Sequence, residues 1–257
     1  MSYDKVVDST QLDAAMTYTA GRIRAKTGGT DQIAWDSAKG FGDAVDAITD
    51  SADDAIIQRT ISGAYSNDRI TTVGACAFLG CQALTAIDLP NVTQVNRNAF
   101  ESCVRLSTIN LPKVTALDRG VFTNSAIQQA YFPLVTTIGD NCFYTAKHLT
   151  SANLPLVTSL PIDSFRLSTI QTADFAAVTN INRTAFTDCQ SLTTLIIRTS
   201  SVCVISDISI ALRGSKIASG AGYIYVPDDL VDSYKAATNW VAFADQIKPI
   251  SALEAST

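Results

Sequence analysis

The sequence predicts a β-rich solenoid with a small α-helical N-terminal head and a C-terminal cap made of a strand and a helix. Three observations lead to this prediction. One motif recurs six times, at intervals of 21 or 22 residues. Apolar and polar residues alternate just before a recurrent proline, as they do in a strand. The chain also holds 29 Thr and 22 Asp against 2 Glu, a bias toward side chains that favour turns over helix interiors.

Residues 1–60 lie outside the repeat and predict a helical head. A capping residue, Thr10, precedes apolar residues at helical spacing, and the pattern ends at the pair Gly28-Gly29. A second short amphipathic helix is indicated after Asp36-Ser37, and residues 50–60 are compatible with a third. The apolar positions of the first two helices are Leu12, Met16, Ala20 and Ile23, then Phe41, Val45 and Ile48.

Residues 61–198 contain the six repeats, each approximately V-T-x-I-x-x-x-A-F-x-x-C-x-x-L-x-x-I-x-L-P. One unit is too short to enclose a core, so its apolar residues must stack on those of its neighbours. In the first strand Ile87 and Leu89 are predicted to point inward and Asp88 outward, with stacked strands about 4.8 Å apart. Proline should end each strand because it has no N–H for the ladder. The recurrent phenylalanine should lie in a turn or short helix on the opposite wall.

Residues 199–257 are predicted to cap the last coil. The segment Tyr223-Ile-Tyr-Val-Pro227 should form a final strand. After it, Asp228 or Asp229 is expected to cap a helix that turns Leu230 and Tyr234 inward. A solenoid needs such a cover to remain soluble.

Composition and charge exclude several classes of protein. The 257 residues are 47% hydrophobic and 17% charged, which excludes a disordered chain. The net charge of −5 disfavours nucleic acid and anionic membrane surfaces as partners. No apolar run approaches the roughly 20 residues of a membrane span, so membrane insertion is not expected. The first residues lack a signal-peptide pattern, so we expect no export by the general secretory route.

No residue is nominated for catalysis, for a cofactor or for a metal, and we predict that the chain is not an enzyme. The only histidine, His148, should lie on the surface without catalytic partners. No C-x-x-C motif occurs, and Cys81, Cys103 and Cys189 share one repeat position, so buried free thiols are predicted. A disulfide between neighbouring coils would have poor geometry. The aspartates lack a calcium-loop spacing and should be solvated turn residues.

The predicted binding face is the outward side of the strands that precede the prolines. An aromatic among amides and carboxylates on a rigid sheet suits a glycan or a protein surface. A separate column of threonines that begins at Thr71 permits two interpretations, a binding array or hydroxyls that satisfy one another, and we favour the structural one. The residues of the candidate face are Asp88, Asn110, Gln129, Tyr131, Asn153 and Asp174.

The repeat, best seen in residues 92–112, resembles the BspA-like leucine-rich repeats of bacterial surface proteins and phages. The resemblance covers about residues 61–227 and implies a leucine-rich-repeat solenoid over 61–198 with a closing tail. The middle units depart from it by carrying Ser125, Ala146 and Ser168 in place of cysteine. The segment Ile23-Arg-Ala-Lys-Thr-Gly-Gly29 and the apolar residues after it resemble the N-terminal segment of tail-associated and fibre-like proteins of phages that infect Gram-positive bacteria.

Together these resemblances imply a phage virion structural protein, assembled in the host cytoplasm. Its expected partners are other virion proteins, through residues 1–60, and a host cell-surface glycan or protein, through the candidate face. By analogy with phage appendages we expect a homo-oligomer within a symmetric assembly. Two alternatives stay open: a purely architectural decoration or collar protein of the virion, and a bacterial BspA-like surface adhesin.

Overall fold

The computed structural model of the chain describes residues 61–255, so the predicted helical head, residues 1–60, lies outside the described part. The described part is a succession of short strands joined by turns. These strands are β1 (Gly63–Ser66), β2 (Thr72–Val73), β3 (Leu84–Asp88), β4 (Gln94–Val95), β5 (Thr108–Asn110), β6 (Ala116–Leu117), β7 (Gln129–Tyr131), β8 (Thr137–Ile138), β9 (Ser151–Asn153), β10 (Ser159–Leu160), β11 (Thr172–Phe175), β12 (Asn180–Ile181), β13 (Thr194–Ile197), β14 (Val204–Ile205), β15 (Tyr223–Val226) and β16 (Ile247–Pro249).

The strands stack in parallel into two walls. The first wall holds a sheet of order β1-β3-β5 and a sheet of order β16-β15-β13-β11-β9-β7. The second wall holds two-residue strands in the orders β2-β4-β6-β8 and β10-β12-β14. Equivalent repeat positions lie opposite one another, as Val73 lies opposite Val95. The prediction of a β-rich solenoid is therefore confirmed.

A third wall contains the recurrent phenylalanines, and it is made of turns and not of helices. Cys76 and Gly80, two residues before and after Phe78, have φ of 58° and 70°. The N–H groups of Cys76, Phe78 and Gly80 donate to carbonyl groups of the next coil at 2.9, 2.8 and 2.8 Å. Alternate N–H groups therefore form a hydrogen-bonded wall without strand geometry. Left-handed φ recurs in the later coils at Asn98, Ser102, Gly120, Asn124, Asn141, Thr145, Asp163, Leu167 and Asp188.

Stacked phenylalanine rings form the centre of the core. Successive rings from Phe78 to Phe186 have centroid distances of 5.1, 5.5, 5.6, 5.0 and 5.3 Å, at interplanar angles of 16° or less. Tyr65 extends this stack at the N-terminal end, 5.4 Å from Phe78. Since all six phenylalanines are buried, we call this arrangement the phenylalanine ladder.

Two coils have 21 residues instead of 22, and both have a smaller residue at one inward strand position and a larger residue at the next. Ala130 and Ala173 occupy the strand position that isoleucine holds in the first coils, and both are buried. Phe132 and Phe175 occupy the next inward position, where the first coils have leucine. Their rings lie 5.6 and 6.1 Å from the nearest ring of their own coil in the ladder. The larger ring offsets the smaller strand residue, which keeps the core filled.

The recurrent prolines start turns. Strand β3 ends at Asp88, before Pro90, as predicted. The N–H of Val92 then donates to the carbonyl of Leu89 at 3.3 Å, which places Pro90 second in a β-turn. The same bond follows Pro112, Pro133 and Pro155 in their coils. Proline suits this position because its φ is already that of the turn.

Two side chains of the C-terminal cap hydrogen-bond the backbone of one residue of the last coil, Cys203. Helix α1 (Ile208–Ala211) is followed by the 3-10 turn Asp228–Leu230, helix α2 (Val231–Ala236), the 3-10 segment Val241–Gln246 and helix α3 (Ile250–Glu254). The hydroxyl of Tyr234 accepts from the N–H of Cys203 at 2.9 Å, and the indole of Trp240 donates to the carbonyl of Cys203 at 2.9 Å. The two rings meet edge to face at 5.0 Å.

The prediction that Asp228 or Asp229 caps helix α2 is wrong, because both lie in the preceding 3-10 turn. Asp228 lies in a 3-10 turn before α2, whose start has no side-chain cap. Its carboxylate instead accepts from the N–H of Ser251 at 3.1 Å, at the start of α3. Hydrogen bonds from the side chain and backbone of Ser251 lower the pKa of Asp228. Helix α1, which we did not predict, is capped by Asp207 through the N–H groups of Ser209 and Ile210.

Two buried serines provide a matched test of hydrogen bonding in the core. Ser164 is 0% exposed and its hydroxyl has no partner, whereas the hydroxyl of Ser125 donates to the carbonyl of Phe122 at 2.9 Å. We expect Ser164→Ala to raise the free energy of unfolding by about 1 kcal/mol, because an unpaired buried hydroxyl is costly. Ser125→Ala should lower it by about 1 kcal/mol. Urea denaturation measures both, and a loss of stability in Ser164→Ala would contradict the expectation.

Candidate functional site

The candidate face is the outward side of the first wall, and the structure divides it between two sheets. Asp88 and Asn110 lie opposite each other on β3 and β5, and the amide of Asn110 donates to the carboxylate of Asp88 at 2.7 Å. The hydrogen-bond ladder of this sheet ends at β5, and a new ladder begins at β7. These two candidates are therefore on a different sheet from the others.

The second group of candidates lies in consecutive strands of the six-stranded sheet. Tyr131 lies opposite Asn153, and Asn153 lies opposite Asp174. Gln129 is two residues before Tyr131 on the same face, while Ala130 between them is buried. Tyr131 is 64% exposed, and it leaves an aromatic ring open to solvent on a hydrogen-bonded sheet.

Asp174 is occupied by an ion pair. The guanidinium of Arg198 donates to both carboxylate oxygens, at 2.8 and 2.9 Å. Hydrogen bonding to Asp174 raises the pKa of Arg198. Arg198 takes the repeat position where four coils have proline, so the pair is specific to this end of the solenoid. It offsets the negative charge of Asp174 on the sheet surface.

The threonine column lies on the second wall, and its hydroxyls do not bond one another. In four of its six members the hydroxyl donates to the backbone carbonyl of the preceding threonine in the column, at 3.3 Å. We expected the threonine hydroxyls to hydrogen-bond one another, and this was wrong. Their acceptors are backbone carbonyls of the preceding coil. The structural interpretation still holds for Thr93, Thr115, Thr136 and Thr179.

Sequence reasoning missed a second aromatic group at the far end of the six-stranded sheet. Tyr223 and Tyr225 lie on the outward face of β15, with ring centroids 6.2 Å apart at 65°. Tyr223 is 43% exposed, and the ammonium of Lys248 lies 5.6 Å from the centre of its ring. The signal was present in the alternation of Tyr-Ile-Tyr-Val, which turns Ile224 and Val226 into the core.

The cysteines of the repeat are structural in their surroundings. Cys81, Cys103 and Cys189 are buried free thiols, as predicted. The thiols of Cys103 and Cys189 donate to phenylalanine carbonyls of the preceding coils at 3.0 and 2.9 Å. Burial raises the pKa of Cys189 to about 11 and that of Cys203 to about 12. These thiols are thus protonated at neutral pH and unsuited to nucleophilic attack.

His148 lies exposed on its coil. Among residues 61–255, no three His, Cys, Asp or Glu side chains are grouped closely enough to hold a metal ion. In that same stretch, every helix is too short or too polar to cross a membrane.

The similarity of this chain to a known protein family lies in its repeats. The family described as BspA type leucine rich repeat region matches residues 60–171 and 163–209, in six copies. The chain is similar to a leucine-rich-repeat protein of T. pallidum (18% identity, 66% of this chain and 80% of that chain covered, TM-score 0.49). It is also similar to a leucine-rich-repeat protein of Bacteroides ovatus (23% identity, 62% and 47% covered, TM-score 0.45). No curated protein matches the chain.

Proposed function

Because the chain belongs to the BspA-type leucine-rich-repeat family, we propose that it is a binding module, and not an enzyme, that presents the outward face of its first wall to another surface. Tyr131 carries this proposal. Tyr131 is 64% exposed, and the residue before it on the same strand, Ala130, points into the core and is buried. The backbone beneath it is fixed by hydrogen bonds to β9. A ligand therefore meets an exposed aromatic ring on a backbone that is already paired in a sheet, and little backbone freedom is lost on binding.

We further propose that the surface belongs to a host cell and that the module is part of a phage virion, attached through residues 1–60. The resemblance of Ile23–Gly29 to phage tail-associated proteins supports the attachment. In this arrangement residues 1–60 attach to the virion, and the coils that follow them in the sequence carry the binding face. A homo-oligomer on a symmetric ring would multiply weak contacts.

One observation favours the architectural alternative, in which the partner is another virion protein. Leu134 and Leu156 occupy the same turn position in adjacent coils, and each is 45% exposed. An exposed apolar pair of this kind suits a protein partner. A bacterial BspA-like surface adhesin would have the same repeat and the same face, and differs in what holds residues 1–60.

Removing residues 1–60 tests the attachment. We expect particles assembled with the truncated chain to lack it, because the proposed anchor is gone while the coils remain. The measurement is the amount of the chain on purified particles, compared with particles that carry the full chain. Truncated chain retained at the full level would contradict the anchor and favour attachment through the coils.

Substitution of Tyr131 tests the adhesion. We expect Tyr131→Ala to weaken binding to host cells by about tenfold or more, because exposed aromatics often dominate an interface. Gln129→Ala should weaken it less. Val204→Ala is the matched control, since Val204 is 63% exposed on the second wall. Unchanged adsorption of Tyr131→Ala would favour the architectural alternative.

A further inference from the structure

The six-stranded sheet carries aromatic side chains near both of its ends on one face. Tyr131 lies on the edge strand β7, and Tyr223 and Tyr225 lie on β15. The register connects them in two straight columns. One column runs Tyr131, Asn153, Asp174, Ile196, Tyr225, and the other runs Gln129, Ser151, Thr172, Thr194, Tyr223. We call these ten positions the outer strip.

The two aromatic ends are separated by four strand spacings. At about 4.8 Å per spacing, Tyr131 and Tyr225 are about 19 Å apart along the solenoid axis. The backbone of both ends is paired with neighbouring strands before any ligand binds. The ring of Tyr223 is held by the edge-to-face contact with Tyr225 and by the ammonium of Lys248, and it remains 43% exposed.

The register positions between the two ends are polar apart from Ile196, and Asp174 is the one charged residue among them. The uncharged polar side chains are hydroxyls and one amide, from Ser151, Thr172, Thr194 and Asn153. The carboxylate of Asp174 is neutralised by Arg198 through two hydrogen bonds. Ile196 stands at an outward register position between Asp174 and Tyr225 but is only 4% exposed, so neighbouring side chains cover it and a ligand at this point meets those side chains and not Ile196.

We propose that the outer strip binds an uncharged polysaccharide that lies along the solenoid axis, with one sugar ring on Tyr131 and another on Tyr223 and Tyr225. This inference rests on the proposed binding function and names the class of ligand. A sugar ring has an apolar C–H face that can contact an aromatic ring, and hydroxyls at its rim that bond amides and hydroxyls.

Other classes of ligand fit the strip less well. The centre of a protein interface needs buried apolar contact area, and the centre of this strip is polar. An anionic polymer needs clustered cations. The strip has Arg198, which is paired with Asp174, and Lys248 at one end, where it lies over Tyr223.

Two separated aromatic ends predict a dependence on ligand length. A short oligosaccharide reaches one end, while a chain longer than about 19 Å reaches both. Engaging the second end then becomes an intramolecular event, and the affinity should rise by at least about tenfold. Because the contacts are uncharged, added salt should leave the affinity unchanged.

Calorimetric titration of the purified full chain tests the inference. The probes are N-acetylglucosamine oligomers and cello-oligosaccharides of increasing length, with hyaluronate as the anionic polymer. We expect long neutral oligomers of at least one series to bind at least about tenfold more tightly than short ones. Tyr131→Ala and Tyr223→Ala should each remove that gain, whereas Val204→Ala should retain it. Unchanged circular dichroism establishes that each variant is folded.

Several outcomes would overturn the inference. If Tyr223→Ala and Tyr225→Ala both retain the length-dependent gain and Tyr131→Ala loses it, the β15 end is not part of the site and the proposed adhesion through Tyr131 stands. If neither neutral series binds, or if hyaluronate binds more tightly and salt weakens it, the ligand is not an uncharged polysaccharide. In that case, loss of cell adsorption by Tyr131→Ala would still support adhesion, with a protein or charged ligand.

Discussion

Replacing Phe122 by alanine is expected to lower the free energy of unfolding by about 3–5 kcal/mol. Phe122 is fully buried, and its ring lies 5.5 Å from Phe100 and 5.6 Å from both Phe132 and Phe143. Truncation would leave a cavity between stacked coils, and neighbouring backbone bonded from coil to coil resists collapse into it. Urea denaturation followed by circular dichroism measures the loss.

Phe78→Ala is the matched control for the position in the ladder. Phe78 contacts Phe100 on one side and Tyr65 on the other, at the end where the coils begin. Fewer rings lose a partner there, so the loss of stability should be smaller than for Phe122→Ala. Equal losses would show that the continuity of the ladder is not what stabilises the solenoid.

Replacing Trp240 by alanine is the second large effect, with an expected loss of about 3–5 kcal/mol. The change removes a fully buried ring from the cap and leaves the carbonyl of Cys203 without the indole donor. The coils form a nearly one-dimensional stack, so loss of the cap should destabilise the last coils first. Hydrogen exchange of the amides in β13 and β15 should accelerate more than exchange in β3 and β5.

Two conservative substitutions separate packing from hydrogen bonding in the cap. Trp240→Phe keeps a ring but removes the donor to Cys203, and we expect it to cost about 1–3 kcal/mol beyond its smaller volume. Tyr234→Phe removes the acceptor for the N–H of Cys203 and should cost about 1–3 kcal/mol. If neither substitution lowers the stability, the two hydrogen bonds to Cys203 do not stabilise the protein and the cap acts by packing alone.

The stability of the cap bears on the proposed site. Strand β15, which carries Tyr223 and Tyr225, lies between β13 of the coils and β16 of the cap. Fraying of the cap would therefore loosen one aromatic end of the outer strip and leave Tyr131 in place. Trp240→Ala should then reduce the length-dependent gain in affinity more than the binding of short oligosaccharides.

The solenoid, its coil length and most of its core follow from the repeat in the amino-acid sequence. A unit of 21 or 22 residues cannot bury its own apolar side chains, so equivalent positions must stack. The phenylalanine ladder and the buried thiols of Cys103 and Cys189 follow from that stacking. Outward placement of Tyr131 and Asn153 follows from strand alternation, which is a local property of the backbone.

The grouping of these positions into a site depends on contacts between coils that form only in the folded chain. The gap between β5 and β7 separates Asp88 and Asn110 from Tyr131, although the repeat continues through all of them. The pairing of Asp174 with Arg198, and the use of Asp228 at the start of α3, each join residues more than 20 positions apart. Such contacts depend on the relative position of whole coils, and no local pattern of apolar and polar residues specifies them.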